Sequence, residues 1–356
     1  MRRLARLALG GASLALLLCA PASAAARVPA PPGFVGVVPQ GALSVTDFAR
    51  MRGTVGTLRI SIFWPSVEPQ AGEFDLAGID SVISAAAQAG VRVLPFVYGT
   101  PSWLKSDPAV PPLGPAARSA WRRFLRVLVS RYGPHGLLWG DGRAPMPVRQ
   151  WQIWNEPNFL LFWHPRPSPA GYARLLETSA AAIRQVDPGA RVVAAGLAPV
   201  EGGMLPWVFL RRLYSVPGAR RSFDVVAIHP YSATLRGTIF QIRKARREMA
   251  AAGDSAKPLL VSELGVTSAS QLPTGFDWGL KGQATFLRRA YRVLLDSRRR
   301  WRLAGVDWYA WRDTAEPDPN CVFCQHAGLF DWAGQPKPAW RAFARIAAEA
   351  RAGTVR

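Results

Sequence analysis

An α/β chain closed into a single-domain (β/α)8 TIM barrel is what the sequence predicts, on three observations. Short apolar runs alternate eight times with longer helical stretches along the 356 residues. Runs such as 192–195 (VVAA) and 259–261 (LLV) are continuously apolar, as parallel strands covered on both faces must be. The length accommodates the roughly 250 residues of such a barrel with long loops besides. A doubly wound nucleotide-binding sheet would need a glycine-rich phosphate loop after its first strand, and the sequence has none there.

Taken in order, the first strand is expected over 34–38 and the first helix over 44–52, with Ser44 as its cap. The second unit pairs a strand at 58–64 with a helix at 79–89, closed by Gly90. The third pairs 92–98 with a helix at 116–132, after a proline-rich loop. The fourth strand is 149–155, with a helix from 169 to 186. The fifth is 191–195, with a helix at 205–214, and the sixth 224–229, with a helix at 238–252. The seventh is 258–263, followed by a helix at 282–297. The eighth is 305–311, and the last helix runs over 338–350.

Barrels of this kind build their sites at the carboxyl ends of the strands. Glu156 closes the fourth strand and Glu263 the seventh. A carboxylate directly after a buried apolar strand is costly unless it is paired or used. Either residue alone could be a structural ion-pair partner. Together they place two carboxylates at one cleft, the requirement of glycoside hydrolysis.

The segment 154–158 (WNEPN) resembles the acid/base motif of clan A glycoside hydrolases, which include family 5 cellulase-like and family 39 β-xylosidase-like enzymes. The Ser262-Glu263-Leu264-Gly265 segment resembles the clan's second signature. The likeness extends to 58–64 (LRISIFW), Glu68-Pro69, 72–75 (GEFD), Asp80, 100–103 (TPSW), 328–331 (GLFD) and 334–339 (GQPKPA). Strand three differs, ending Phe96-Val97-Tyr98 without the polar residue that several members carry there.

This resemblance implies a retaining enzyme that cleaves O-glycosidic bonds, of the β-linked kind, by double displacement. Glu156 would be the general acid/base and Glu263 the nucleophile. It further implies Asn155 on the sugar 2-hydroxyl, Arg59 charge-paired with the nucleophile, and the Tyr231 hydroxyl on the nucleophile. His229 would lie near the sugar, and Trp311 would form the platform beneath it. His229 and Tyr231 are two apart, so they share a strand face. The chain has 14 tryptophans, and a sugar cleft explains part of that number. Trp64 and Trp103 would either flank the cleft or pack the barrel rim.

No cofactor is expected. No metal site is expected either, since His135, His164, His229 and His326 lack metal-ligand spacing. Residues 1–24 read as an export leader: basic Arg2, Arg3 and Arg6, an apolar run at 7–18, and Ala22-Ser23-Ala24 before the cut. Alternatives are an uncleaved anchor, or a lipoprotein through Cys19, although Leu18 is not the small residue that should precede it. The catalytic domain is then 25–356, secreted or wall-associated. Cys321 and Cys324 are expected to form a local disulfide in an oxidising compartment.

The net charge of +21 becomes +18 when the leader removes Arg2, Arg3 and Arg6. The arginines are spread along helical segments, which reads as a solvated surface and not a nucleic-acid tract. The expected partner is an oligo- or polysaccharide, with an anionic cell-wall surface as a further one. Two other functions fit the same barrel: a catalytically weak carbohydrate-binding protein, and a wall-bound adhesin.

Overall fold

The computed structural model describes residues 28–353 except 141, 143, 144, 271–274 and 320. The expected leader, with Cys19 and the cleavage site, lies outside the described residues. In chain order the elements are β1 (Val35–Val38), α1 (Val45–Met51), β2 (Thr57–Phe63), α2 (Trp64–Val67), α3 (Ala77–Gln88), β3 (Arg92–Tyr98) and α4 (Pro115–Tyr132). There follow β4 (Gln150–Ile153), α5 (Pro169–Val186), β5 (Arg191–Leu197), α6 (Pro206–Tyr214), β6 (Val225–Ile228) and α7 (Leu235–Ala251). The last are β7 (Leu259–Leu264), α8 (Gly279–Ser297), β8 (Leu303–Tyr309) and α9 (Pro338–Ala352). The strands form a closed barrel in sequence order, all parallel, with β8 returning to β1.

Local chemistry explains the element ends. Ser44 and Asp47 form a capping box on α1, with Ser44 N–H donating to Asp47 Oδ2 at 2.7 Å. Proline occupies the first helical position of α4, α5, α6 and α9, where its missing N–H costs nothing. β4 is shorter than expected because the backbone turns left-handed at Trp154 (φ 70°). β8 begins and ends two residues earlier than expected, at Leu303 and Tyr309.

Two cores hold the barrel. The larger lies between the strands' outer faces and the helices, where Trp121, Phe124, Leu176 and Phe209 are buried. The smaller fills the barrel interior with Leu94, Val193, Val225, Ala227 and Leu260. Burying each of the leucine and valine side chains is worth roughly 1.5–3 kcal/mol.

The barrel's two ends differ in charge. Exposed arginines crowd the end where the strands begin, among them Arg92, Arg220, Arg221, Arg299, Arg300 and Arg302. The carboxyl ends of the strands carry the acidic groups described next. Among the described residues, no helix is long and apolar enough to cross a membrane.

Candidate active site

Arg59 on β2 organises the mouth of the barrel. Its guanidinium is wholly buried and donates to Glu263 Oε1 at 2.6 Å, to Asn155 Oδ1 at 3.0 Å and to Gln152 Oε1 at 3.0 Å. The Phe96 ring lies beneath it, 4.0 Å from centroid to guanidinium carbon. At the position where strand three lacks a polar residue, a cation–π contact supports the arginine instead. Gln152 was not among the expected site residues. Its inward register on β4 was the available signal, but a lone strand glutamine gives no chemical hint of its partner.

Glu263, at the end of β7, accepts a second bond from the Tyr231 hydroxyl at 2.8 Å. A guanidinium and a hydroxyl thus both donate to this one carboxyl group. Burial and the neighbouring Glu263 push the Tyr231 phenol well above its ordinary range, so it stays a donor.

Glu156 sits differently. It follows Trp154 and Asn155 in a turn where Trp154 and Glu156 are both left-handed (φ 70° and 37°). Such conformations cost of order 1–3 kcal/mol each for non-glycine residues and are kept where the surroundings over-determine them. Here the Trp154 indole N–H donates to Phe162 O at 2.6 Å, and its ring packs against Trp121 and Trp163. The anchored turn aims Glu156 into the cleft. Burial raises its pKa to about 7, with Arg59 opposing.

His229 ends β6, wholly buried, with Nδ1 2.7 Å from Glu156 Oε1 and 3.6 Å from Glu263 Oε2. Burial drives its pKa down to about 3. The ring is therefore neutral near pH 7. The proton belongs on Nδ1, because Nε2 is buried without a partner and faces Gly196. A Cβ at Gly196 would stand 2.0 Å from Nε2, so the glycine makes room for the ring.

Ligand atoms of Glu156, His229 and Glu263 lie within 4.8 Å of one another, close enough to share a cation. All three are expected at the cleft from the sequence, without a metal. Each of these side chains already has a partner: His229 on Glu156, and Arg59 and Tyr231 on Glu263. The donor set suits acid–base chemistry, and a metal would have to displace Arg59.

Six of the seven expected site residues thus converge: Glu156, Glu263, Asn155, Arg59, His229 and Tyr231. Trp311 does not join them. Its ring is buried, donates Nε1–H to Asp47 Oδ1 at 2.9 Å, and packs on Phe330 and Trp340. The reason is the early end of β8, which leaves Tyr309 as the last strand residue. The Tyr309 ring packs edge-on to Tyr231 at 6.4 Å, and its hydroxyl donates to Gln40 Oε1 at 3.0 Å. Trp64 and Trp103 pack the rim: Trp64 is buried against Phe124 and donates to Glu68, and Trp103 donates to the Glu68 carbonyl.

Cys321 and Cys324 are joined in a disulfide in the loop after β8. The loop places Phe323 against Tyr231 at 5.1 Å, and the Cys324 carbonyl accepts from Gln40 Nε2 at 2.8 Å. Below the site, Asp307 on β8 is buried with both carboxyl oxygens unpaired, facing Gly36. Burial raises its pKa well above the usual range.

No protein-family model matches the chain, and no curated protein matches it in sequence. Solved structures do match in fold. A family 39 glycoside hydrolase from Bacteroides cellulosilyticus superposes with a TM-score of 0.67 at 21% identity, over 90% of this chain and 64% of its own. An exo-β-1,4-mannosidase from an Opitutaceae bacterium gives 0.66 at 18% identity, over 93% and 62%. A monomeric β-xylosidase from Caulobacter crescentus gives 0.63 at 17% identity, over 90% and 69%. The chain therefore spans less than two thirds of the length of the first two.

Proposed function

We propose that the chain is a retaining glycoside hydrolase acting on β-linked O-glycosides. The observation that carries this reading is the unlike setting of two carboxyl groups at one cleft. Glu263 is held by a cation and a hydroxyl donor. Glu156 is buried and keeps its proton to about pH 7. Unlike environments for paired carboxyls divide nucleophile from acid. Oxygens of the two groups approach within 4.8 Å. Retaining enzymes hold their carboxyls roughly 5–5.5 Å apart, and inverting ones roughly 6.5–9.5 Å.

In the first step Glu263 attacks the anomeric carbon while Glu156 protonates the departing oxygen. In the second, Glu156 removes a proton from water, which attacks the same carbon and frees Glu263. His229 donates Nδ1–H to Glu156 Oε1, leaving the other oxygen to carry the transferred proton. Arg59 occupies Asn155 Oδ1, so the Asn155 amide N–H groups turn to the sugar 2-hydroxyl. The mannosidase and xylosidase activities named for two similar structures support a β linkage. A screen of aryl β-glycosides tests the proposal. Oligosaccharide binding without turnover of any of them would favour the catalytically weak binding protein.

The arginine-rich end opposite the cleft favours a second property of an exported chain, retention on an anionic wall polymer with the mouth facing outward. Binding to isolated walls should fall as salt rises. Binding indifferent to salt, or a cell-retained product with an intact leader, would remove it.

A further inference from the structure

The seam between β1 and β2 opens into a pocket beside the catalytic groups. β1 pairs with β2 only through Gly36↔Thr57 and Val37↔Leu58, whereas β2 stays paired with β3 up to Phe63↔Tyr98. Pro39, which has no N–H to continue a ladder, follows β1, and the chain swings out toward α1. The space left, about 470 Å³, runs from the mouth to the inner side of α3. Volumes of ligand pockets begin at roughly 300 Å³.

The pocket adjoins the site through a traceable chain of contacts. Gln40 lines it and accepts from the Tyr309 hydroxyl, Tyr309 packs on Tyr231, and Tyr231 donates to Glu263. Ser61, also in its lining, stands two residues beyond Arg59 on the same strand. This is the β8–β1–β2 side of the mouth, whereas Glu156 follows β4. A group in the pocket therefore belongs to the sugar that is attacked, not to the leaving group that Glu156 protonates.

The lining decides the chemistry. Its less exposed part is aliphatic, with Leu43, Ile62, Ile79 and Val82, and its exposed part is polar, with Ser61, Ser66 and Asp75. Gln40 has both amide atoms engaged, Nε2 on the Cys324 carbonyl and Oε1 with Tyr309. Against the aliphatic part, hydroxyls of a second sugar would lose water without recovering partners, because Ser61, Ser66 and Asp75 stand at the exposed side. An alkyl or acyl chain gains about fourfold in affinity for each buried methylene.

We infer that this pocket receives an apolar substituent, such as a short acyl ester, carried by the sugar on the nucleophile side. The sugar's identity as substrate rests on the proposed glycosidase function, but the apolar pocket does not. Gly78 lines the pocket in the first turn of α3, and a Cβ there meets open space. Gly78→Trp therefore fills the pocket, and Gly78→Ala controls for the change in helix propensity.

Calorimetric titration of the full chain with hexanoyl glucose esters, glucose and hexanoate tests the inference. The expected result is an ester at least tenfold tighter than glucose in the wild type and in Gly78→Ala, falling to within twofold in Gly78→Trp. Hexanoate should lose its binding in the same variant. If glucose and the esters are silent while hexanoate binds and is lost in Gly78→Trp, the pocket stands and the sugar reading fails. An ester no tighter than glucose, with hexanoate silent, or an advantage that survives Gly78→Trp, overturns the pocket.

Discussion

Glu156 Oε1 and His229 Nδ1 are 2.7 Å apart in a buried pair whose members are pushed in opposite directions. Burial raises the carboxyl to about 7 and lowers the imidazole to about 3. Both are therefore neutral around pH 6, and the pair needs no compensating charge.

This relationship sets the pH dependence. Hydrolysis needs the proton on Glu156, so kcat/KM should fall as pH rises through about 7. Stability carries the same sign. The folded chain holds this proton more tightly than the unfolded one, whose value is near 4.5. That contribution is complete below 4.5 and is lost as pH rises through about 7. Glu156→Gln should therefore raise Tm relative to wild type more at pH 8 than at pH 4. An equal difference at both would contradict a buried, proton-holding Glu156.

Glu263→Ala should reduce turnover by roughly 10⁴-fold or more. Azide should restore part of it, giving a glycosyl azide of inverted configuration. With the native enzyme, NMR of the first-formed sugar should show retained configuration. An inverted first product rules out Glu263 as nucleophile.

Trp311→Ala should act through folding. The indole is buried and bonded to Asp47, and truncating such a ring costs roughly 3–5 kcal/mol. Tm should drop while kcat of the folded fraction changes little. Tyr309→Ala should do the reverse, lowering kcat/KM with a smaller loss of Tm. Equal kinetic damage from both would return Trp311 to the cleft.

Burial favours the protonated form of Asp307, and Asp307→Asn replaces that form with a nearly isosteric neutral group. Burial raises this carboxyl, so its contribution to stability is full at low pH and lost as pH rises through its folded value. The urea midpoint of the Asn variant relative to wild type should therefore rise with pH. A relative midpoint that falls as pH rises would mean that the aspartate is charged and paired.

Cys321→Ser with Cys324→Ser should loosen the loop that seats Phe323 on Tyr231. Misplacement of a group near the nucleophile by about 1 Å costs up to roughly 10²-fold. A fall in kcat/KM within that range is expected, matched by reduction of the wild type. Unchanged kinetics after complete reduction, verified by thiol titration, would show that the loop holds its place without the bond.

Much of this was legible in the amino-acid order because barrel strands and carboxylates leave local signals. Continuous apolar runs marked the strands, and Glu156 and Glu263 stood out as acids following them. Arg59 and Tyr231 were accessible through motif resemblance. What escaped depends on register over a few residues. The run 303–311 (LAGVDWYAW) supports a strand ending at Tyr309 or at Trp311, and only pairing with β1 decides between them. Gln152 and Gln40 escaped because their importance lies in partners 93 and 284 residues away. The opening between β1 and β2 is a missing set of pairings, which leaves no mark in composition.

The return of β8 to β1 has a consequence for biogenesis. The catalytic groups come from β2, the ends of β4, β6 and β7, and an aromatic neighbour from β8. A nascent chain that stops before β8 cannot close the ring, and long-range strand pairing of this kind is slow to form. Without β8 the sheet that carries Arg59 on β2 and Glu263 on β7 stays open, so the proposed hydrolytic activity should arise late and cooperatively. Under the function proposed above, a cell making this protein would be shielded from premature activity by the order of synthesis itself.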